Sequence, residues 1–158
     1  MKKLLCIVSL AIAGSLAFAA LPVVPAKDQA ALLKSNDPKL AKNKKLAYDF
    51  FRIVLRARKL DQASKFMTEN YMQHNPNADT GLKGFLAYFS NPKLPKAPPL
   101  ADTLEGLVAI QAEGDFVTLS FVREYENSKK QKYTTTWFDM FRFEGDKIAE
   151  HWDSALMQ

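Results

Sequence analysis

The hydrophobic rhythm of the chain changes near residue 103. Upstream of that point apolar residues recur at helical spacing. Leu46, Phe50, Ile53, Val54 and Ala57 fall at i, i+4, i+7, i+8 and i+11, while Arg52, Arg56, Arg58 and Lys59 lie mostly off that face. The spacing predicts a helix that begins near Leu40 and is clear from Leu46 to Leu60. Asp61 is a candidate cap for a second, shorter helix through about Thr68, with Ala63, Phe66 and Met67 as its apolar members. Gly81 to Ser90 is the third helical segment, with Leu82, Phe85, Leu86 and Phe89 as its buried stripe. Between the last two, Tyr71 to Pro76 reads as a short extended piece, because Pro76 pushes Asn75 out of the helical region. Residues 91–100 hold four prolines and can be neither helix nor central strand. A stiff loop of that kind suits a pocket rim or a contact surface.

Downstream the period falls to two. Strands are expected at about 104–112, 115–125, 132–143 and 147–155. The turns between them fall at Glu113-Gly114-Asp115, at Asn127–Lys130 and at Glu144-Gly145-Asp146. Connections this short favour antiparallel pairing. Helices followed by a meander make an α+β domain, here three N-terminal helices against a sheet of about four main strands.

The last hairpin carries the candidate chemistry. Successive side chains along a strand point to opposite faces. Trp137, Asp139, Phe141 and Phe143 therefore share one face, and Ala149, His151 and Asp153 share one face of the next strand. Three ionisable groups among aromatics are costly in a core and reasonable in a pocket. His151 and Asp153 lie two residues apart on one strand face, with Cβ atoms roughly 6.5–7 Å apart. An Asp–His pair in an apolar pocket can remove and return a proton α to a carbonyl. Arg123, on the face of Val117, Leu119, Phe121 and Tyr125, could reach a ligand carboxylate, pair with a pocket aspartate or extend to solvent. The opposite face of the hairpin carries Phe138, Met140, Ile148 and Trp152. Strands apolar on both faces are usually buried on both, so a homodimer packed through these four residues is expected.

Composition bounds the rest. Lys2-Lys3, an apolar run of about ten residues from Leu4 to Ala13, and Ala17-Phe18-Ala19 occur in the order of a secretory signal peptide. Residues 1–19 are expected to be removed and the protein to be exported, to a periplasm or the medium. The run is too short to anchor the chain in a bilayer, which takes roughly 20 residues. The sole cysteine, Cys6, lies in this segment. The remainder therefore has no disulfide, no thiol nucleophile and no cysteine-based metal site. Residues 20–39, with Pro22, Pro25 and Pro38, read as a flexible leader to a single domain over 40–158. The chain has 22 Lys and Arg against 17 Asp and Glu, and the lysines are scattered. That pattern reads as solvated surface, without the basic stripe and interleaved aromatics of a nucleic-acid binder. The two histidines and the pocket aspartates lack the spacing of a metal site, so neither a metal nor a cofactor is expected.

Several segments carry a family likeness. The chain from Asp139 through His151-Trp152-Asp153 resembles the C-terminal signature of SnoaL-like proteins, in the nuclear transport factor two-like superfamily. Tyr71-Met72-Gln73-His74-Asn75-Pro76 and Gly81-Leu82-Lys83-Gly84 agree in order and spacing with upstream motifs of that family. The resemblance covers roughly residues 40–158. It implies a sheet curled into a cone, with helices closing its concave side over a cavity, and dimers are common in the superfamily. It also implies that His74 faces that cavity, and that Asp153 stands where an acidic residue carries out cofactor-free aldol closure in SnoaL-like cyclases. The expected site is then Asp153, His151, His74 and Asp139 for proton transfer, with Trp137, Phe141, Tyr71 and Arg123 around a small apolar ligand. The same cavity could instead hold that ligand without turning it over, as a binding module. Export is an awkward setting for polyketide cyclisation and favours the broader reading of a lyase, an isomerase or a binder.

Overall fold

In a computed structural model of the protein, residues 21–157 are described. The expected signal peptide lies outside them. Two helical segments open the described chain, α1 (Gln29–Leu32) and α2 (Pro38–Phe50). Pro38 sits in the first turn of α2, where its missing N–H costs nothing, and the Asp37 carboxylate accepts from the backbone N–H groups of Lys39 and Leu40. The helix does not run on as α-helix to Leu60. It relaxes into a π-helical turn over Phe51–Arg56, in which Ala57 N–H reaches back five residues to Arg52 C=O at 3.2 Å. The chain then passes through a 3-10 turn, Leu60–Gln62, into the short α3 (Ala63–Phe66). Asp61 lies inside that 3-10 turn and caps nothing; Gln62 occupies the cap position of α3.

Five strands form one sheet: β1 (Met67–Gln73), β2 (Leu107–Glu113), β3 (Phe116–Glu126), β4 (Lys132–Glu144) and β5 (Lys147–Asp153), in the order β1-β5-β4-β3-β2. The architecture is α+β, as expected, with a curved and unclosed sheet. It differs from the expected meander by one strand. The segment ending in Tyr71-Met72-Gln73 is β1, which pairs in parallel with β5 and makes the sheet mixed. Helix α4 (Gly81–Phe89) follows β1. Its Gly-x-x-Gly motif has a steric cause: Gly81 sits at φ +82°, and a Cβ on Gly84 would lie 2.7 Å from the backbone oxygen of Asp79.

The core lies between α2, α4 and the inner face of the sheet. Phe50 meets Phe66, Phe85 and Phe141 at ring separations of 6.0, 5.9 and 5.7 Å. Burying a side chain of this size contributes roughly 1.5–3 kcal/mol. Residues 21–37, expected as a flexible leader, are laid against the domain. Val23 N–H donates to Thr134 Oγ1 at 2.7 Å, and Ala26 N–H to Leu107 C=O at 2.8 Å. The Gln29 amide bonds both backbone groups of Leu104, at 2.6 and 2.9 Å.

One irregularity changes the register of the last hairpin. Arg142 pairs with Glu150, but the next pair is Phe143 with Ile148. Ala149 is thus an extra residue, a β-bulge. Ile148 turns inward to join Phe143 in the core, and Ala149 turns outward beside Met72 and Arg142. Both were expected on the opposite faces, because strict alternation cannot anticipate a bulge. Phe138, Met140 and Trp152 remain outside, and Phe138 is 47% exposed.

Candidate functional site

The inner face of β1, β5, β4 and β3 forms the wall of an open cavity of about 850 Å³. Phe50, Phe51 and Leu55 from the first long helix and Phe85, Tyr88 and Phe89 from α4 cover it. The π-helical turn matters here, since Phe51, Leu55 and Arg56 all border the cavity. Leu94, from the proline-rich loop, lines it as well.

Strand register decides which polar groups enter. Asp139 pairs with Asp153, and Phe141 pairs with His151. The imidazole of His151 stacks on the Phe141 ring at 4.9 Å and 21°, and places Nε2 3.1 Å from Asp139 Oδ1. His151 and Asp139 are almost wholly buried. The expected same-strand pair, His151 with Asp153, does not form. The ring leans along the diagonal of the strand pair, a reach that cross-strand neighbours allow. Asp153 is held instead by Asn75, whose Nδ2 donates to Oδ2 at 2.7 Å, and by Ala155 N–H, which donates to Oδ1 at 2.9 Å.

From β1 the cavity receives Tyr71 and Gln73, and from the following loop Asn75 and Asn77. His74 does not enter it. Alternation along β1 turns Tyr71 and Gln73 inward and Met72 and His74 outward. His74 N–H bonds His151 C=O at 3.0 Å, while its ring lies on the outer face, parallel to Trp152 at 4.8 Å and bonded to Glu150 Oε1 at 2.8 Å. The placement implied by the family likeness is thus corrected: the motif sends its tyrosine, glutamine and asparagine to the cavity, not its histidine.

The hydrogen bonds around His151 define where protons sit. Asn75 N–H donates to Gln73 Oε1 at 3.0 Å, and a backbone N–H is always a donor, so that atom is the amide oxygen. The same oxygen lies 2.9 Å from His151 Nδ1, which must therefore carry hydrogen. Gln73 Nε2 donates in turn to Tyr71 Oη at 3.1 Å. With Nδ1–H fixed, the contact between Nε2 and Asp139 Oδ1 is a hydrogen bond only if one proton lies between them. That proton resides either on the carboxyl or on the ring. The pair thus holds one shared proton between two buried side chains at the wall of the open cavity. Burial pushes the Tyr71 hydroxyl well above the usual range for a tyrosine, and the neighbouring Asp153 and Asp139 add to the effect. Tyr71 stays protonated. Its hydroxyl oxygen accepts from Gln73 Nε2.

Trp137 and Phe141 both line the cavity. Arg123 lies at its border with the guanidinium 4.4 Å above the Trp137 ring, and pairs with neither aspartate. Asp139, His151 and Asp153 offer ligand atoms within 4.8 Å of one another and are the residues that could hold a cation. A cation there would have to displace the His151–Asp139 and Asn75–Asp153 bonds.

With the site described, relatives can be compared. The SnoaL-like domain family matches residues 47–151. The chain belongs to the SnoaL-like family. No curated protein matches it by sequence. Among solved structures, a candidate polyketide cyclase from Acidithiobacillus ferrooxidans superposes with a TM-score of 0.53 at 15% identity, covering 76% of this chain and 89% of that one. A candidate polyketide cyclase from Bacillus cereus gives 0.53 at 18% identity, covering 87% of each chain. A candidate SnoaL-like polyketide cyclase from Jannaschia gives 0.52 at 14% identity, covering 77% and 91%. At these identities the likeness is one of fold.

Within this SnoaL-like cone, the residues that reasoning from sequence missed are Gln73, Asn75, Arg56 and Arg58. Counting by twos from Tyr71 finds Gln73. The same count reaches Asn75, but its bond to Asp153 depends on the parallel pairing of β1 with β5, which nothing local reveals. Arg56 was placed off the buried face of its helix, which is where the cavity border lies. Arg58 adopts φ +49°, a left-handed conformation unusual for a side chain of this size, and it too borders the cavity.

Proposed function

We propose that this protein binds a small carbonyl compound in the cone and moves a proton on it by cofactor-free acid–base chemistry, as a lyase, isomerase or cyclase would. The observation that carries this reading is the His151 imidazole, fixed by Gln73 on one nitrogen and sharing a proton with Asp139 on the other, beside an open cavity. In this scheme the shared proton rests on His151 Nε2, and the other oxygen of the Asp139 carboxylate takes the α-proton and returns it, because both His151 nitrogens are already hydrogen-bonded. Tyr71 donates to the carbonyl oxygen as negative charge develops, and the aromatic side chains of the wall hold the apolar part of the ligand. General acid–base catalysis of this kind contributes about 10²–10⁴-fold.

The test is exchange of the α-protons of a ring-bearing benzylic ketone, 2-tetralone, in deuterated water, followed by NMR. Wild-type protein should accelerate the exchange and Asp139→Asn should abolish the acceleration. An asparagine can still donate to Nε2, so the fold survives while the shared proton is lost. A second reading, a binding module, is favoured by Asp153, whose two oxygens are both occupied by protein donors. Binding of the ketone without exchange in the wild type would select it.

We also propose export and dimerisation. Export is supported by the order of basic, apolar and small residues in 1–19, and an N-terminus near Ala20 in protein from the native host would test it. Among the described residues no helix is long and apolar enough to cross a membrane. A homodimer through Phe138, Met140 and Trp152 is supported by the exposure of Phe138 and of the neighbouring Phe116, which is 41% exposed. Light scattering should report twice the chain mass, and Phe138→Glu should halve it.

A further inference from the structure

The border of the cavity carries arginines that no internal carboxylate claims. Arg123 lies with its guanidinium carbon 4.4 Å above the centre of the Trp137 ring. Arg56 lies 5.6 Å from the Phe121 ring and 5.7 Å from the Phe51 ring. Phe121 and Trp137 are cross-strand partners, and Phe51 stacks on Phe121 at 4.5 Å. The two guanidinium groups therefore rest on one continuous aromatic shelf. Among the described residues, neither makes a hydrogen bond or an ion pair with a protein acceptor. Arg58 borders the same cavity from its left-handed position. Glu105 and Glu124 stand at the border as well and pair with none of the three.

The position of the shelf sets a distance. On β4, Trp137 is the inward residue next to Asp139, about 6.6–7 Å away along the strand. On β3, Arg123 lies four residues beyond Leu119, the partner of Asp139, or about 13 Å. A guanidinium held over a ring without a protein acceptor keeps N–H groups free, and these match a carboxylate in a planar, two-pronged fashion. We propose that Arg56 and Arg123 form an anion-binding subsite. The ligand would be an amphipathic acid: an apolar, ring-bearing body with a carboxylate at the Phe121–Trp137 shelf and its carbonyl about 7–13 Å deeper, at the Asp139–His151 pair. The subsite rests on the cavity reading proposed above and names the class of molecule the cavity takes. It adds a carboxylate to the small apolar ligand expected from sequence, at the arginine already considered there for such a contact.

The test uses a matched pair of probes of suitable length, 4-phenylbenzoate and its neutral amide, 4-phenylbenzamide. Binding is read by titration calorimetry and by quenching of Trp137 fluorescence in a Trp152→Phe background, which leaves Trp137 as the lone tryptophan. Wild-type protein should bind the acid about tenfold tighter than the amide at low salt. The double variant Arg56→Gln/Arg123→Gln should lose that preference to within about twofold while binding the amide unchanged. Added salt should shrink the preference in the wild type. Competition by inorganic sulfate for the acid alone would mark the shelf as a general oxyanion seat, and its failure would mark it as selective for carboxylates; either outcome keeps the subsite. Equal binding of acid and amide by the wild type, or a preference that survives the double variant, overturns it. Failure of both probes to bind overturns the cavity reading itself, so the two failures can be told apart.

Discussion

The protein's two histidines stand on opposite faces of one sheet, and each meets a carboxylate at hydrogen-bond distance. His151 faces inward, 3.1 Å from Asp139, with both residues enclosed. His74 faces outward, 2.8 Å from Glu150, with its side chain 45% exposed. Distance alone would rank them alike, but their surroundings do not. Around His151 every neighbour limits the proton: Gln73 fixes one nitrogen, Phe141 covers the ring, and Asp139 has no competing cation. Around His74 the carboxylate is already committed, because Arg142 Nε donates to Glu150 at 2.7 Å and Arg142 Nη1 to Glu144 at 3.0 Å. The outer group is a surface charge ladder, and ladders of this kind contribute little each. The inner group is a proton held between two buried side chains. Chemistry is expected from the second and bracing from the first.

Swapping out the two pairs should break the symmetry most visibly. Asp139→Asn is expected to lower the α-proton exchange rate of 2-tetralone by about 10²–10⁴-fold with little change in ketone affinity. His74→Ala should leave the rate within about twofold and stability within about 0.5 kcal/mol of wild type. NMR exchange rates and calorimetric affinities separate the two. A rate loss in His74→Ala equal to that in Asp139→Asn would overturn the assignment of chemistry to the inner face.

Most of this contrast is legible in the sequence once strands are counted correctly. Alternation over residues 115–143 sets β3 and β4, and it places Trp137, Asp139 and Phe141 inside and Phe138 and Met140 outside. It fails where the backbone breaks its period. The bulge at Ala149 turns Ile148 inward, and no local residue announces it. Strand β1 is hidden differently. Thr68, Glu69 and Asn70 give it a polar middle, and its pairing partner among the described residues, β5, is remote in sequence, so nothing nearby marks it as a strand. That gap let His74 be assigned by family likeness, although the period counted from Tyr71 puts Gln73 inside and His74 out. The partner of His151 was also out of reach of local reasoning. Same-strand spacing suggests Asp153, whereas the hairpin register and the Asn75 side chain, which occupies Asp153, leave Asp139.

Asp153 then becomes a second way to sharpen the comparison, as an inner carboxylate whose work is structural. It joins β5 to the loop after β1 through Asn75 and to its own chain end through Ala155. Asp153→Asn retains one acceptor oxygen but turns an amide toward one of these donors, leaving that donor unpaired. A loss of about 1–3 kcal/mol is expected in urea unfolding. Ketone exchange should stay within a few-fold of wild type. An unchanged midpoint with abolished exchange would instead place Asp153 in the chemistry.

Alkaline pH probes the inner face through Tyr71. Its hydroxyl is raised above the ordinary value of 10.0 chiefly by burial. Above about pH 10 the unfolded tyrosine releases a proton that the folded one keeps, so stability must fall as pH rises. Tyr71→Phe removes this one titration. The difference in melting temperature between wild type and Tyr71→Phe should be constant from pH 7 to about 9.5 and then shift in favour of the variant above 10. A difference independent of pH up to 11 would mean that the hydroxyl reaches solvent.

The smallest expected effect belongs to the outer ladder at acid pH. Arg142, then His74, hold the Glu150 carboxyl below its ordinary value of 4.5. A depressed acid stabilises the fold where it is ionised in both states, above about pH 4.5, and that contribution disappears as pH falls through its native value. Glu150→Gln keeps the shape and one acceptor but has no charge to lose. Near neutrality the variant should melt about 1–3 °C below wild type, since the carboxylate serves two partners yet stands near the surface. The gap should close as pH falls below the ordinary carboxylate value, and it should narrow in high salt at neutral pH because exposed pairs are screened. Asp139→Asn, measured in the same series, should show no such salt dependence, because its proton is shared inside the cavity. A Glu150→Gln gap that widens on acidification would reverse the sign and remove the ladder from the account of the outer face.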